Sequence, residues 1–427
     1  MSLKKDVRMI DIVTLGAGAA IGVAIFSIFA PAATLAGPGM LITMTLAAVP
    51  MCVFAFVYAF MGTADPQSGA SYVWPSRYIH PLVGFLIGWL RTLASTGVMI
   101  LLATVLVQYW SRWVALPAKP AMAVIFLVFY LLNLRGVALA ARAQTTLFLL
   151  MIVALGILVA GALGKLQASH FTPLLPHGWQ GVVAAVPLMV SLFLGIENAV
   201  EVGEETRDPR RTVSIAIAIC VGTILVIYYG VSVGTLGVLG SQALASSSAP
   251  LLDAAGTVFG RPAQALVMLA ATLAIAKSLN ATLLIFSRYL FAMGRDGVLP
   301  RTLGSIHPQW GTPHIAVTAA FGCCLLGLLL PSNLVFLFLA ANIPTLLKYL
   351  GTCVSALNVL RSHPAVYDRA GYRPRRGVLT LMAWVGIACA VAIVLAGTTA
   401  DWRPYGVLAG WGCVGVLAWI LVRGNRG

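Results

Sequence analysis

Apolar runs of about twenty residues or more follow one another along the whole of this chain, and they leave little choice of fold. About 20 apolar residues in a helix span the hydrocarbon of a bilayer. Lipid offers no hydrogen-bond partners, so a spanning backbone must close its own bonds in helices or a sealed barrel. The runs here are too long, and alternate too weakly, for barrel strands. Only 9% of the 427 residues are charged and 60% are hydrophobic. Soluble domains carry roughly 25% charged residues, and so few charges cannot cover a water-facing surface. The expected fold class is therefore all-α integral membrane.

About twelve spans are expected, at residues 10–35, 39–62, 82–111, 120–135, 141–164, 181–204, 212–240, 264–293, 312–331, 333–360, 377–398 and 403–423. The loop at 63–80 is turn-rich. The loop at 241–263 is rich in Ser, Ala and Pro, and that at 361–376 is strongly basic. No separate soluble domain is expected. The first apolar run continues into the fold without a small-residue cleavage site, so it reads as an uncleaved span rather than a signal peptide.

The formal charge of +15 raises a nucleic-acid role, but its distribution argues against one. With both ends on one side, that side collects most of the Lys and Arg. Among them are Lys4, Lys5, Arg8, Arg210, Arg211, Arg373, Arg375 and Arg376. The opposite loops hold Arg112, Lys119, Lys165, Arg261 and Arg403. Such a bias places both termini in the cytoplasm, in a cell (inner or plasma) membrane. The seven cysteines all fall inside apolar runs and form no disulfide framework. No Cys/His set has metal-ligand spacing, and no nucleophile, base or metal set suggests an enzyme or a cofactor.

The first span carries Gly16, Gly18 and Gly22 among alanines near its middle. Small residues allow close helix packing, and on this span alone packing is the stronger reading. The sixth span changes the balance. It reads Phe193-Leu194-Gly195-Ile196-Glu197-Asn198-Ala199-Val200-Glu201, again with glycine and polar groups at mid-depth. Paired interruptions at matching places in two halves point to a transporter binding site. A broken helix exposes N–H groups that favour an anion and carbonyls that favour a cation.

Of the 12 Asp and Glu, only Glu197 and Glu201 fall within a span away from its first or last residues. Intramembrane acids are costly and mark function by default. Four residues apart, they share a face of a continuous helix, where two carboxylates resist ionising together. That suits a proton carrier or an amine site; alternatively, Glu201 is a solvated helix end. Lys277 lies in the eighth span, in Ala276-Lys277-Ser278-Leu279-Asn280. An ammonium at that depth needs a partner. Glu197, Glu201 or a place otherwise filled by a free cation are the options, with snorkelling to an interface as the bland alternative. Arg91 and Lys348 also lie in spans, as partners of backbone carbonyls or as gating residues.

Taken in order, these segments resemble the amino acid–polyamine–organocation superfamily over nearly the whole chain. Gly18 to Phe26 is similar to its first-span signature, followed by Ala36-Gly37-Pro38-Gly39. Pro66 to Tyr72 and Gly84 to Trp89 resemble loop 2 and span 3. Gly195-Ile196-Glu197 with Glu204 to Arg210 resembles span 6 and its exit. Ser287-Arg288, Gly294 to Pro300 and Thr312-Pro313 resemble the end of span 8.

The resemblance implies a leucine-transporter-type fold with a 5+5 inverted repeat. Residues 1–164 would form helices 1–5 and residues 165–360 helices 6–10, with helices 1 and 6 broken. Residues 361–427 would add two more helices. It further implies secondary active transport of amino acids by alternating access, as proton symport or exchange. The alternatives are an amine or polyamine carrier of the same fold or, in a different class, an ion channel. The implied substrate site comprises Ala20, Ile21, Gly22, Val23, Ala24, Phe193, Gly195, Glu197 and Asn280. Glu197, Glu201 and Lys277 would couple protons or ions. The expected partners are a small-molecule substrate and membrane lipid.

Three departures from the family pattern matter. Val23 and Ala24 replace smaller or hydroxyl-bearing residues and narrow the carboxylate cradle, which suits a substrate lacking that group. Ser191 stands where many members have a gating aromatic, leaving Phe193 for that role. Some relatives carry a lysine in span 5 in place of sodium, whereas Leu149-Leu150-Met151-Ile152 here has none. Lys277 would then supply the fixed charge from another helix.

Overall fold

In the computed structural model, the protein is described over residues 9–22, 24–67, 70–135, 138–195, 200, 209–295, 297–309, 312–329 and 333–424. Among these residues the regular structure is helical. Seven helices are long and apolar enough to cross a membrane, joined by shorter apolar ones such as Ala118–Leu134, Phe148–Leu163, Gly178–Leu192 and His314–Gly327. Apolar side chains face outward all over the surface, as on Val226, Leu326, Leu329 and Leu421. In water such exposure would drive association, whereas in lipid it needs no cover.

The first span comes as three pieces, α1 (Met9–Ala20), α2 (Ala24–Ser27) and α3 (Phe29–Ala36). The bend between α2 and α3 has a simple cause: Pro31 brings no N–H to the carbonyl of Ser27. The helical bonds on either side persist, from Ile28 N to Ala24 O at 2.8 Å and from Ala32 N to Ile28 O at 3.0 Å. Next come α4 (Met40–Ala64), α5 (Ala70–Tyr78), α6 (Pro81–Trp110), α7 (Ala118–Arg135) and α8 (Ala138–Leu163). The sixth span begins as α9 (Gly178–Met189). Then follow α10 (Pro209–Leu239), α11 (Ser241–Ser246), α12 (Pro250–Phe259), α13 (Arg261–Arg295) and α14 (His314–Gly327). The chain closes with α15 (Leu334–Ser362), α16 (Pro364–Arg369), α17 (Arg376–Ala400) and α18 (Arg403–Gly424).

All three expected loops are partly helical, the third through α16, and side-chain anchors explain the first two. In the loop at 63–80, Asp65 accepts from Gln67 Nε2 at 2.9 Å, Arg77 NH1 at 2.9 Å and Tyr78 Oη at 2.8 Å, and its carbonyl accepts from Trp74 Nε1 at 2.9 Å. These bonds hold α5 to the end of α4. Burial, together with the bond to Asp65, pushes the Tyr78 phenol up to about 12, so it stays a donor at any physiological pH. In the segment at 241–263, Asp253 near the start of α12 pairs with Arg112 at the end of α6. Lys165, just beyond α8, donates to the Thr257 and Val258 carbonyls at the other end, at 3.0 and 2.8 Å. An acid near the first turn and a cation at the last carbonyls both suit the helix dipole.

Two neighbourhoods of helices pack closely, and the contacts of α15 with α17 and of α13 with α8 join them. In one, α10 lies against α4, α1 and α8, while α9 lies against α4, α3 and α17. In the other, α6 packs on α15, α13 and α18, and α14 packs on α13 and α7. Trp89 of α6 and Trp411 of α18 stack at 4.7 Å. Each indole donates to the other's backbone carbonyl, at 2.7 and 3.2 Å.

Candidate functional site

A helix leaves its last four carbonyls without intrahelical donors. Where α1 stops at Ala20, that shortage falls inside the protein. Ile21 N reaches back to Ala17 O at 2.8 Å, and Gly22 N turns sharply onto Ala20 O at 2.7 Å. The rest is supplied by other helices. Tyr228 of α10 donates its hydroxyl to Ala20 O at 2.7 Å. Lys277 of α13 donates Nζ to Gly18 O at 2.9 Å. A cation therefore sits at the carbonyl end of a half-helix, where the dipole favours it. Ile21 and Ala24 are buried on either side. Val23, named in the sequence as part of the cradle, lies outside the described residues.

The sixth span also leaves its helix inside the protein. Beyond Met189 the chain tightens into a 3-10 turn at Val190–Leu192 and leaves helix at Phe193. Gly195 has φ +116°, a backbone conformation that favours glycine. Glu197 and Glu201 lie outside the described residues. Ser191 is turned back on its own helix, its hydroxyl donating to Leu188 O. Phe193 is buried and meets Tyr228 edge to face, with ring centroids 5.8 Å apart. Tyr228 thus touches both interruptions, its ring on Phe193 and its hydroxyl on Ala20.

The structure therefore brings Ala20, Ile21, Gly22 and Lys277 to one place, with Phe193 reached through Tyr228. Asn280 is engaged elsewhere: its Oδ1 accepts from Asn133 Nδ2 of α7 at 2.8 Å. Arg91 donates to Thr345 Oγ1 of α15 at 2.9 Å, and its guanidinium lies 5.9 Å from the Tyr289 ring centroid. Lys348 is buried, with its ammonium 5.4 Å from the Tyr349 ring.

Three participants went unnoticed in the sequence. Besides Tyr228 there is Tyr109 of α6, which donates to Phe26 O at 2.7 Å just past the first interruption. The third, Asn342 of α15, donates to Pro187 O of α9 at 2.7 Å. A tyrosine hydroxyl or an amide in an apolar span needs a partner, and that signal was available for all three. No group of His, Cys, Asp and Glu suited to a metal occurs among the described residues.

A many-span helical protein whose first span breaks inside it, against the end of another helix, has the build of a membrane transporter. A family model for amino acid permeases matches residues 9–420, and the chain belongs to that family. It is 32% identical over 320 residues to an uncharacterised transporter of Mycobacterium tuberculosis, covering 74% of this chain and 71% of the relative. It is 28% identical to the branched-chain amino acid permease of Bacillus subtilis, covering 85% and 82% of the two chains. It is 26% identical to the methylthioribose transporter of the same organism, covering 98% and 94%.

Proposed function

We propose that this protein is a secondary active carrier of amino acids that works by alternating access, with its substrate held where the two helices break. The observation that carries this reading is Tyr228, which contacts Phe193 and the Ala20 carbonyl at once. Beyond the first-span break, the start of α2 offers N–H groups to a carboxylate. The sixth-span break, with Glu197 two residues beyond Gly195, offers acceptors to an amine.

The coupling proposal rests on Lys277. While protonated, its ammonium binds Gly18 O with charge assistance, worth about 1.5–3 kcal/mol against about 0.5–1.5 for a neutral bond. Losing the proton weakens the hold between α13 and α1. The bond joins the two neighbourhoods of helices, so proton binding and release at one atom would bias their relative position. Glu197 is the second candidate proton carrier, proposed from the sequence alone.

The test uses purified protein in liposomes loaded with candidate amino acids or amines. A carrier gives saturable counterflow and uptake driven by an imposed proton gradient. Unitary conductance without counterflow would identify a channel instead. Lys277→Met is expected to lose gradient-driven uptake at least tenfold, and Glu197→Gln to flatten its dependence between pH 5 and 8. Wild-type coupling in Lys277→Met would remove the lysine from the mechanism.

A further inference from the structure

Away from the interrupted helices, a groove of about 600 Å³ runs along the outer wall between α4 and α10. On α4 it is lined by Cys52, Ala55, Phe56 and Ala59, at the i, i+3, i+4, i+7 spacing of one helix face. On α10 the corresponding face carries Ser214, Ala218 and Gly222. At 1.5 Å per residue, the lining extends about 10–12 Å along each helix, most of the roughly 15 Å depth of one leaflet's hydrocarbon. A side chain added at Gly222 would meet no heavy atom within 4 Å, so the inner end is open.

The outer end has different chemistry. Tyr372 closes it, packed edge to face on Phe56 at 5.6 Å, with its backbone N–H donating to Thr63 Oγ1 at 3.1 Å. Arg373 follows it in the chain, with Arg375 and Arg376 exposed just beyond. Arg211 is exposed on α10 one turn before Ser214, whose hydroxyl donates to its carbonyl at 3.3 Å. Arg373 lies 3.6 Å from Asp368, and both side chains are more than half exposed. An ion pair so open to solvent holds its partners weakly and exchanges readily for another anion.

We propose that this groove takes one acyl chain of an anionic phospholipid, with the head group engaged by Arg211 and Arg373. The apolar trough matches the chain, and the guanidinium groups at its mouth match a phosphate, which arginine binds in fork geometry. The mouth lies on the basic side of the molecule, which faces the more anionic leaflet when oriented by its positive loops. The claim is independent of which solute is carried.

The experiment is native mass spectrometry of protein from mixed phosphatidylglycerol and phosphatidylcholine micelles. The wild type is expected to retain phosphatidylglycerol in preference to phosphatidylcholine by at least tenfold. Arg211→Gln with Arg373→Gln should abolish the preference, and Gly222→Leu should displace the lipid by filling the trough. Independently of any variant, alkylation of Cys52 by a membrane-permeant maleimide should slow several-fold in vesicles containing phosphatidylglycerol. Equal retention of the two lipids, or a Cys52 rate indifferent to lipid charge, would overturn the proposal. So would crosslinking of two chains through Cys52, which would assign the face to a second copy.

Discussion

Gly18 is the smallest residue at the tightest point of the site. A Cβ added there would lie 3.2 Å from Lys277 Nζ and 3.3 Å from the Phe148 ring. A larger residue would crowd the approach of the ammonium, which comes within 2.9 Å of that carbonyl. The glycines of the first span were readable as packing or as an interruption, and the matching glycine in the sixth decided between them. That Lys277 needed a partner was also readable, but not which one, because the choice depends on how α13 is rotated against α1. The same rotation brings Asn280, three residues on, toward Asn133. Tyr228 escaped notice because an aromatic in an apolar helix reads first as packing. Tyr228→Phe keeps the ring contact with Phe193 and removes the hydroxyl. Ala20 O retains the Gly22 N–H, so the loss should be near one ordinary hydrogen bond, about 1 kcal/mol. A lowered Tm together with slower counterflow is expected. Unchanged transport would confine the hydroxyl to stability.

At the scale of elements, spans were legible and their interior details were not. The length of an apolar run fixes where a helix can cross, so α4, α6 and α15 fall close to the expected limits. The helices α5, α11 and α12 did not register. They are short and held in place by side-chain anchors, local for α5 at Asp65 and distant in sequence for α12 at Arg112 and Lys165. The contact between α9 and α15 makes a sharper point. Asn342 is buried and donates to Pro187 O, while its own Oδ1 meets no donor among the described residues. An orphan buried acceptor costs about 1–3 kcal/mol, against about 0.5–1.5 for the bond made. Asn342→Leu should therefore leave thermal stability unchanged or raised while slowing transport, if the amide serves the movement of α9. Fluorescence-monitored melting and uptake on one preparation would check both. Normal uptake would mean that the bond only holds two helices together.

For the whole molecule, the unequal spread of Lys and Arg is the feature that sets orientation. On the proposed orientation, Lys119, in the first turn of α7, would lie on the outside, and Arg369, at the end of α16, on the inside. In whole cells an impermeant maleimide should label a Lys119→Cys variant, and should label Arg369→Cys only after lysis. The native cysteines exposed on the outer wall, Cys52 and Cys413, are replaced by serine in both. The reverse pattern would invert the molecule in its membrane. The all-helical architecture followed from composition alone, because lipid permits so few alternatives. The pairing of helices did not, since side chains far apart in sequence decide it.

Lys277 is tied to its helix and cannot leave with the cargo as a sodium ion does. What it can exchange is a proton. If Lys277 couples as proposed, one proton shed per turnover beside a zwitterionic solute would move a net positive charge across the bilayer, and the membrane voltage would then act on the cycle. At about 2.3 kcal/mol per charge for every 100 mV, a cell at 100 mV could then concentrate its solute roughly fiftyfold against a gradient before any difference in pH is counted.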